Sequence, residues 1–386
     1  NGGNGVKIAV VMDSFKGSIS SLEAGHAVKK GILKADPDAQ VEVLPIADGG
    51  EGTMEALVLA KQGSYRTLQV SGPLGETISC RYGLIDGQTA VIEMAQAAGL
   101  PLVPVSKRNP MNTTTRGVGE MIADAIKLGC RNFIVGIGGS ATNDGGVGML
   151  EALGFKFLDQ QGNDIPMGAK GLELLSEIQL QNQLPQLKEC RFCVACDVSN
   201  PLCGENGCSV VYGPQKGADQ RAIEQMDQFL KQYADLAKNK IPDADETAPG
   251  SGAAGGMGFA FRTFLNATLE PGIQIVMDKL NMEELFKSSD LIITGEGRLD
   301  GQSLMGKVPI GVANLAKKYH KPVVALAGSV TKEAGNGDAC RIDAFFPIVR
   351  ECITLEKAME KETAKENLAL TAEQVIRLWK AAQIRG

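Results

Sequence analysis

The apolar stretch Phe133 to Val135 runs directly into Gly136-Ile137-Gly138-Gly139-Ser140-Ala141-Thr142-Asn143-Asp144-Gly145-Gly146, and from there into the helical pattern Val147 to Leu153. A strand that ends in bare backbone beside a helix N-terminus is the connecting step of an α/β layer. Glycines let consecutive N–H groups face one concavity, the helix dipole favours negative charge there, and Ser140, Thr142 and Asn143 add short donors. The pattern points to a bound phosphate or other anion, with Gly138, Gly139, Ser140, Ala141, Thr142, Asn143 and Gly145 as contacts. A tight strand-to-helix turn that needs positive φ is the plainer alternative, but glycines interleaved with hydroxyls and an Asp exceed what one turn requires.

The 386 residues leave room for two or three domains and a large core. Glycine is the compositional outlier, with 47 residues against an ordinary share of about 7%. A net charge of −6 with no basic stripe argues against a nucleic-acid partner. No apolar stretch reaches membrane-spanning length, and no basic segment followed by an apolar one heads the chain, so a soluble cytoplasmic protein is expected. Nothing in the sequence speaks to oligomeric state. Cys190, Cys193 and Cys196 have a spacing found in iron–sulfur sites, but Arg191 to Val198 reads as a strand, where Cys193 faces away from the other two. Free thiols in a reducing compartment are the ordinary alternative.

Both ends of the chain read as α/β units. Val6 to Met12 and Val41 to Ile46 are strands around the helical pattern Leu22 to Ala35; Leu291 to Thr294 and Val323 to Leu326 are strands around the helix Pro309 to Tyr319. Thr354 to Gln383 reads as one amphipathic helix with Leu368, Val375, Ile376 and Trp379 on its packing face. The middle differs. Gly72-Pro73-Leu74-Gly75 breaks the pattern, and Ile78 to Ile85 and Thr89 to Met94 flank the hairpin signal Asp86-Gly87. The expected architecture is a parallel-sheet α/β domain built from residues 1–71 and 283–386, a second α/β domain inserted over 72–282, and a cleft between them. The run Pro249 to Gly258 reads equally as a linker or as a further glycine loop.

Only His26 and His320 are present, neither in a catalytic-looking neighbourhood, so proton transfer and metal binding fall to carboxylates and lysines. Asp48 and Glu51 follow the second strand, Asp144 lies in the glycine loop, Asp197 follows a strand, and Glu296 and Asp300 follow Leu291 to Thr294. Each caps a strand at its carboxyl end, where open α/β sheets bind ligands. Asp48, Glu51, Asp144 and Glu296 are the candidate Mg²⁺ ligands, since Mg²⁺ needs only one or two carboxylates beside phosphate oxygens and water. Gly301 to Val308 has P-loop spacing, but Val308 stands where a hydroxyl should follow the lysine, so a Walker loop is rejected and Lys307 is kept as an anion ligand. Lys16 holds the matching place after the first strand.

The strings Ser14-Phe15-Lys16, Asp48-Gly49-Gly50-Glu51-Gly52-Thr53, Arg108-Asn109-Pro110, Thr115-Arg116-Gly117 and Gly138 to Gly146, followed by Gly213-Pro214-Gln215-Lys216-Gly217, Gly252 to Gly256, Gly295 to Asp300 and Gly306-Lys307, resemble the type I glycerate kinase family in content and order from Lys7 to Pro347. The resemblance implies ATP-dependent phosphorylation of D-glycerate with Mg²⁺, giving 2-phosphoglycerate in bacterial glyoxylate or sugar-acid breakdown. It also implies a flavodoxin- or Rossmann-like domain paired with an inserted domain that has a restriction-endonuclease-like core. Cys208 stands where the family pattern has alanine and Gln274 where an acidic residue is expected, and neither carries an assigned role.

Combined with the residue chemistry, the expected scheme has the glycine loop hold nucleotide phosphates and Asp197 accept the hydroxyl proton, with Asp48 next in rank. Lys16, Arg298 or Lys307 grips the glycerate carboxylate, and Asp300 is a further candidate for substrate binding. The rivals are glycerate 3-kinase activity, a non-catalytic phosphometabolite sensor, and an NAD-dependent dehydrogenase, which the lack of Gly-x-Gly-x-x-Gly after the first strand disfavours.

Overall fold

The computed structural model describes residues 5–300, 307–332 and 341–383. In chain order its strands are β1 (Lys7–Met12), β2 (Gln40–Val43), β3 (Ser64–Ser71), β4 (Thr77–Ile85), β5 (Thr89–Glu93), β6 (Asn132–Gly136), β7 (Lys156–Leu158), β8 (Glu177–Gln179), β9 (Arg191–Ala195), β10 (Thr268–Glu270), β11 (Leu291–Leu299), β12 (Val323–Val330) and β13 (Ala344–Pro347). The chain divides into two compact units, one of Asn1–Asp48, Glu55–Ala60 and Ile273–Gly386, the other of Gly49–Met54 and Lys61–Gly272.

In the first unit every residue of β1 except Lys7 is buried, as a strand covered on both faces requires. It lies between β2 and β11, parallel to both, with Ile8 opposite Val41 on one side and Leu291 on the other. The sheet runs β13-β12-β11-β1-β2 and is parallel throughout. Numbered within the unit, that order is 2-1-3-4-5, which reverses between β1 and β11; ligand crevices lie outside the strand carboxyl ends at such a reversal. β2 stops at Val43, short of the expected Ile46, because Pro45 has no N–H with which to extend the ladder. β11 instead runs past Thr294 to Leu299, paired with β12 as far as Leu299 opposite Val330.

The helix Ser21–Ala35 starts in a capping box: Ser20 Oγ accepts from the Glu23 N–H at 3.2 Å, and the Glu23 carboxylate accepts from the Ser20 N–H at 3.0 Å. That N–H and Lys365 hold the Glu23 carboxyl down to about 2. The helix packs against Lys361–Gln383, and Gly31 permits the approach, since a Cβ there would stand 2.0 Å from the Ala369 carbonyl oxygen. The expected single C-terminal helix is two, Leu355–Met359 and Lys361–Gln383, because Glu360 leaves helical geometry with ψ 134°. Leu368, Val375 and Ile376 are buried in the core beside β1, with Trp379 packed against it.

The second unit holds a mixed sheet ordered β10-β9-β6-β5-β4-β3. β3, β4 and β5 are antiparallel, and β5, β6, β9 and β10 are parallel. The Asp86-Gly87 signal is a hairpin turn, with φ +51° and +73°. β3 pairs with β4 along its full length, so the chain joins this unit from Lys61 and not from residue 72; Gly72 to Gly75 is the turn between those strands. At the far end Ile273 packs against Gly311, and the helix beyond it belongs with the first unit. Phe133 and Phe192 stack at 4.7 Å in the core, and the fully buried Tyr233 meets Phe157, Phe259 and Phe264.

Candidate active site

In the first unit a cavity of about 630 Å³ opens at the carboxyl ends of β1 and β11, where the strand order reverses. Asp13 follows β1 directly; its N–H donates to the Gly295 carbonyl oxygen at 2.8 Å, and its Oδ1 accepts from the Ser14 N–H at 2.7 Å. The extension of β11 places Glu296 and Arg298 two residues apart, on one face of a strand. Asp13 and Glu296 are buried, Asp48 is half-buried, and all three line the cavity with Lys16, Arg298 and Lys307. Burial, and then the Asp48 and Glu296 carboxylates, push Asp13 up to about 7 against the opposing pull of the Ser14 N–H and Lys16. Arg298 is exposed and pairs with Asp300 at 3.4 Å. Lys307 stands at the N-cap of the helix Val308–Lys318.

The glycine loop of the second unit is built differently from the open row of amides expected of it. Only Gly138 and Gly139 are exposed, and every residue from Ser140 to Leu150 is buried. The Ala141 N–H donates to the Ala98 carbonyl oxygen and the Gly145 N–H to that of Gly255. Asp144 fills the turn itself: Oδ2 accepts from the Thr115 N–H and hydroxyl, both at 2.9 Å, and from the Gly148 N–H at 3.3 Å, while Oδ1 accepts from the Gly146 N–H at 3.1 Å. Burial raises its pKa against those four donors. Asn143 Nδ2 donates to Ser209 Oγ at 2.8 Å. The fully enclosed Lys216 Nζ donates to Ser140 Oγ at 2.8 Å and to the Thr142 carbonyl oxygen at 2.6 Å, and burial lowers it to about 8. Gly255 and Gly256 close the other side: a Cβ on Gly255 would stand 2.0 Å from the Thr142 carbonyl oxygen. The run Pro249 to Gly258 is thus neither linker nor ligand loop but a seam against this turn.

A family model described as the glycerate kinase family matches residues 8–380. The chain belongs to the glycerate kinase family. It is 50% identical over 354 residues to the protein named glycerate 2-kinase of Escherichia coli K12, covering 92% of this chain and 93% of that one. Identity to the glycerate kinase of Bacillus subtilis is 45% over 371 residues, with 96% and 97% covered. A crystal structure from Salmonella typhimurium LT2, whose name of glycerate kinase 2 is itself provisional, superposes with a TM-score of 0.91 at 47% identity, covering 98% of this chain and 100% of that one.

In this glycerate kinase family member the residues singled out from sequence fall into separate groups. Lys16, Asp48, Glu296, Arg298, Asp300 and Lys307 share the first unit's cavity. Gly138 and Gly139 are exposed, while Ser140, Ala141, Thr142, Asn143, Asp144 and Gly145 form the buried turn. Glu51 is exposed in the second unit. Asp197 is exposed there too, and its Oδ1 accepts from the N–H of Gly272 at 3.0 Å, at the start of the helix Gly272–Lys279. His26 and His320 are exposed. Gly301 to Gly306, the P-loop-like stretch, lies outside the described residues. The cysteine trio is dispersed: Cys190, Cys193 and Cys196 make sulfur contacts to Gln186, Glu270 and Val198. Among the described residues no group of three His, Cys, Asp or Glu is arranged to hold a metal ion by itself, and no helix is long and apolar enough to cross a membrane.

Two residues were given no role by the sequence reading. Asp13 satisfies the same strand-end rule as the other acids and could have been found by it. Lys216 could not, because its partners lie 76 and 74 residues away and no local pattern marks a lysine as buried.

Proposed function

We propose that this chain transfers the γ-phosphoryl group of ATP to the 2-hydroxyl of D-glycerate, giving 2-phospho-D-glycerate and ADP, in glyoxylate or sugar-acid breakdown in the cytoplasm. The observation that carries the proposal is the grouping of Asp13, Asp48 and Glu296 with Lys16, Arg298 and Lys307 in one cavity at the strand-order reversal. The 2-1-3-4-5 order supports a flavodoxin-like reading of the first unit, with the second unit as an inserted domain whose restriction-endonuclease-like core is implied by resemblance alone.

Asp13, and not the exposed Asp197, is the candidate base. It is buried, which favours uptake of a proton, and it is fixed by its backbone to β11. Asp13 accepts the proton of the 2-hydroxyl as the glycerate oxygen bonds to the γ-phosphorus and the bond from that phosphorus to the β,γ-bridging oxygen breaks, releasing ADP. Arg298 and Lys307 grip the glycerate carboxylate, Arg298 oriented by Asp300, and Lys16 faces phosphate oxygens. Like-charged Asp48 and Glu296 in one cavity suit a Mg²⁺ shared with nucleotide phosphates, and would hold it there; when bound it neutralises phosphate charge. In the glycine loop any anion contact is confined to Gly138 and Gly139, with Ser140, Ala141, Thr142, Asn143 and Gly145 as framework.

Phosphorus NMR of the product from D-glycerate and Mg-ATP tests the reaction, and 3-phosphoglycerate would replace the regiochemistry proposed. Asp13→Asn keeps the contact to the Ser14 N–H and loses the base, so turnover should fall by roughly 10²–10⁴-fold with Mg-nucleotide binding retained. Near-normal turnover in a folded Asp13→Asn protein would return the role to Asp48 or Asp197.

A further inference from the structure

The cavity that holds the acids and cations is far larger than a three-carbon acid needs. At about 630 Å³ it falls among pockets that enclose ligands of nucleotide size, roughly 300–1,000 Å³. Part of its wall is apolar: Phe15 from the turn after β1, Ile348 and Val349 after β13, Ile353, and Leu355 and Met359 from the short helix Leu355–Met359. Phe15 and Ile348 are buried and form its floor, whereas Leu355 is 74% exposed, Val349 38% and Met359 36%. Large apolar side chains grouped at the rim of a cavity and left open to water mark a surface that something flat and apolar covers. The Met359 methyl lies over Gly17, whose φ of +77° and missing side chain leave it room, so the short helix is seated directly on the turn that carries Lys16.

We infer that this wall is the nucleoside site: the adenine and ribose of ATP lie against Phe15, Ile348, Val349, Ile353, Leu355 and Met359, and the triphosphate extends toward Lys16. This assignment rests on the proposed kinase reading for the occupant's chemistry. Glycerate offers no apolar face, and a nucleotide is the one participant that joins an apolar base to a polyanionic chain, as the cavity lining combines apolar side chains with cations and paired acids. The lining residues all belong to the first unit, whereas the glycine loop belongs to the second.

Leu355→Asp and Val349→Asp change exposed side chains and should leave the melting temperature unchanged. The probes are the non-hydrolysable β,γ-imido analogue of ATP and inorganic tripolyphosphate, each titrated calorimetrically into the full chain with Mg²⁺. Loss of the nucleoside contact should weaken the analogue by about tenfold or more while tripolyphosphate affinity stays as in wild type. An unchanged analogue affinity overturns the assignment, and so does parallel weakening of both probes. Failure of the wild-type protein to phosphorylate glycerate would remove the proposed reaction without affecting this comparison, so the two readings fail separately.

Discussion

Asp144→Asn should destabilise the second unit and leave the Mg²⁺ requirement untouched. The wild-type carboxylate accepts four hydrogen bonds, three on Oδ2 and one on Oδ1. The least costly asparagine keeps its oxygen where Oδ2 stands and turns its NH₂ toward the Gly146 N–H, so one bond is lost and two donors face each other in a buried site. Losing a hydrogen bond to a charged group costs about 1.5–3 kcal/mol, and an unsatisfied buried donor about 1–3 kcal/mol. The three bonds that remain also weaken as they pass from charged to neutral. Release of the burial penalty that raises the wild-type carboxyl offsets part of this, so a total of about 2–3 kcal/mol follows, and for a unit of this size that lowers the melting temperature by roughly 5–10 °C. Circular dichroism melts with and without Mg²⁺ measure it. Combining the variant with Thr115→Val should give less than the sum of the two losses, because Asp144→Asn has already weakened, by removing the charge, the Thr115 hydroxyl contact that Thr115→Val deletes. If Asp144→Asn melts like wild type and needs more Mg²⁺ for turnover, the carboxylate is a metal ligand and the reasoning fails.

Gly255→Ala puts a methyl 2.0 Å from the Thr142 carbonyl oxygen at a φ of +67°, so the seam must open; a clear fall in melting temperature is expected, and an unchanged melt would mean the loop can shift freely. Burial raises Glu151 to about 7, with Arg116 opposing. Between about pH 4.5 and 7 the folded state therefore holds a proton that the unfolded chain has released, and stability falls as pH rises through that window. Glu151→Gln should melt higher than wild type at pH 8 and lose the advantage by about pH 4.5; equal melts at pH 8 would contradict the assignment.

Elements fixed by local chemistry were legible in the sequence: β1 from its apolar run, the first helix from the periodicity of Leu22 to Ala35, and the β4–β5 hairpin from Asp86-Gly87. What misled was glycine. Gly295 and Gly297 read as the start of a loop, yet they lie inside β11, where a Cβ on Gly295 would stand 1.9 Å from the Leu326 carbonyl oxygen. The glycine marks a close backbone approach within the sheet, which only the partner strand explains. Gly138 to Gly146 misled in the same way. Its glycines and short polar side chains do satisfy an anion at a helix start, but that anion is Asp144, supplied by the loop itself. Sequence alone cannot tell an inward carboxylate from an outward one, because the deciding partner, Thr115, comes from another helix start 29 residues away.

The central strand of the first sheet has one neighbour from each end of the chain: Val41 faces Ile8 from one side and Leu291 from the other, and the Lys7 N–H is bonded to the Asp290 carboxylate, 283 positions further along the chain. On a ribosome β1 emerges early and β11 late, so for most of synthesis its hydrogen-bonding edge has nothing to pair with while the second unit can already close on itself. The nascent N-terminal segment is therefore the stretch most in need of a chaperone's cover. A transcript cut short before the final helix would yield a chain whose second unit is sound but whose ligand cavity never forms, since Leu368, Val375 and Ile376 complete the core behind β1.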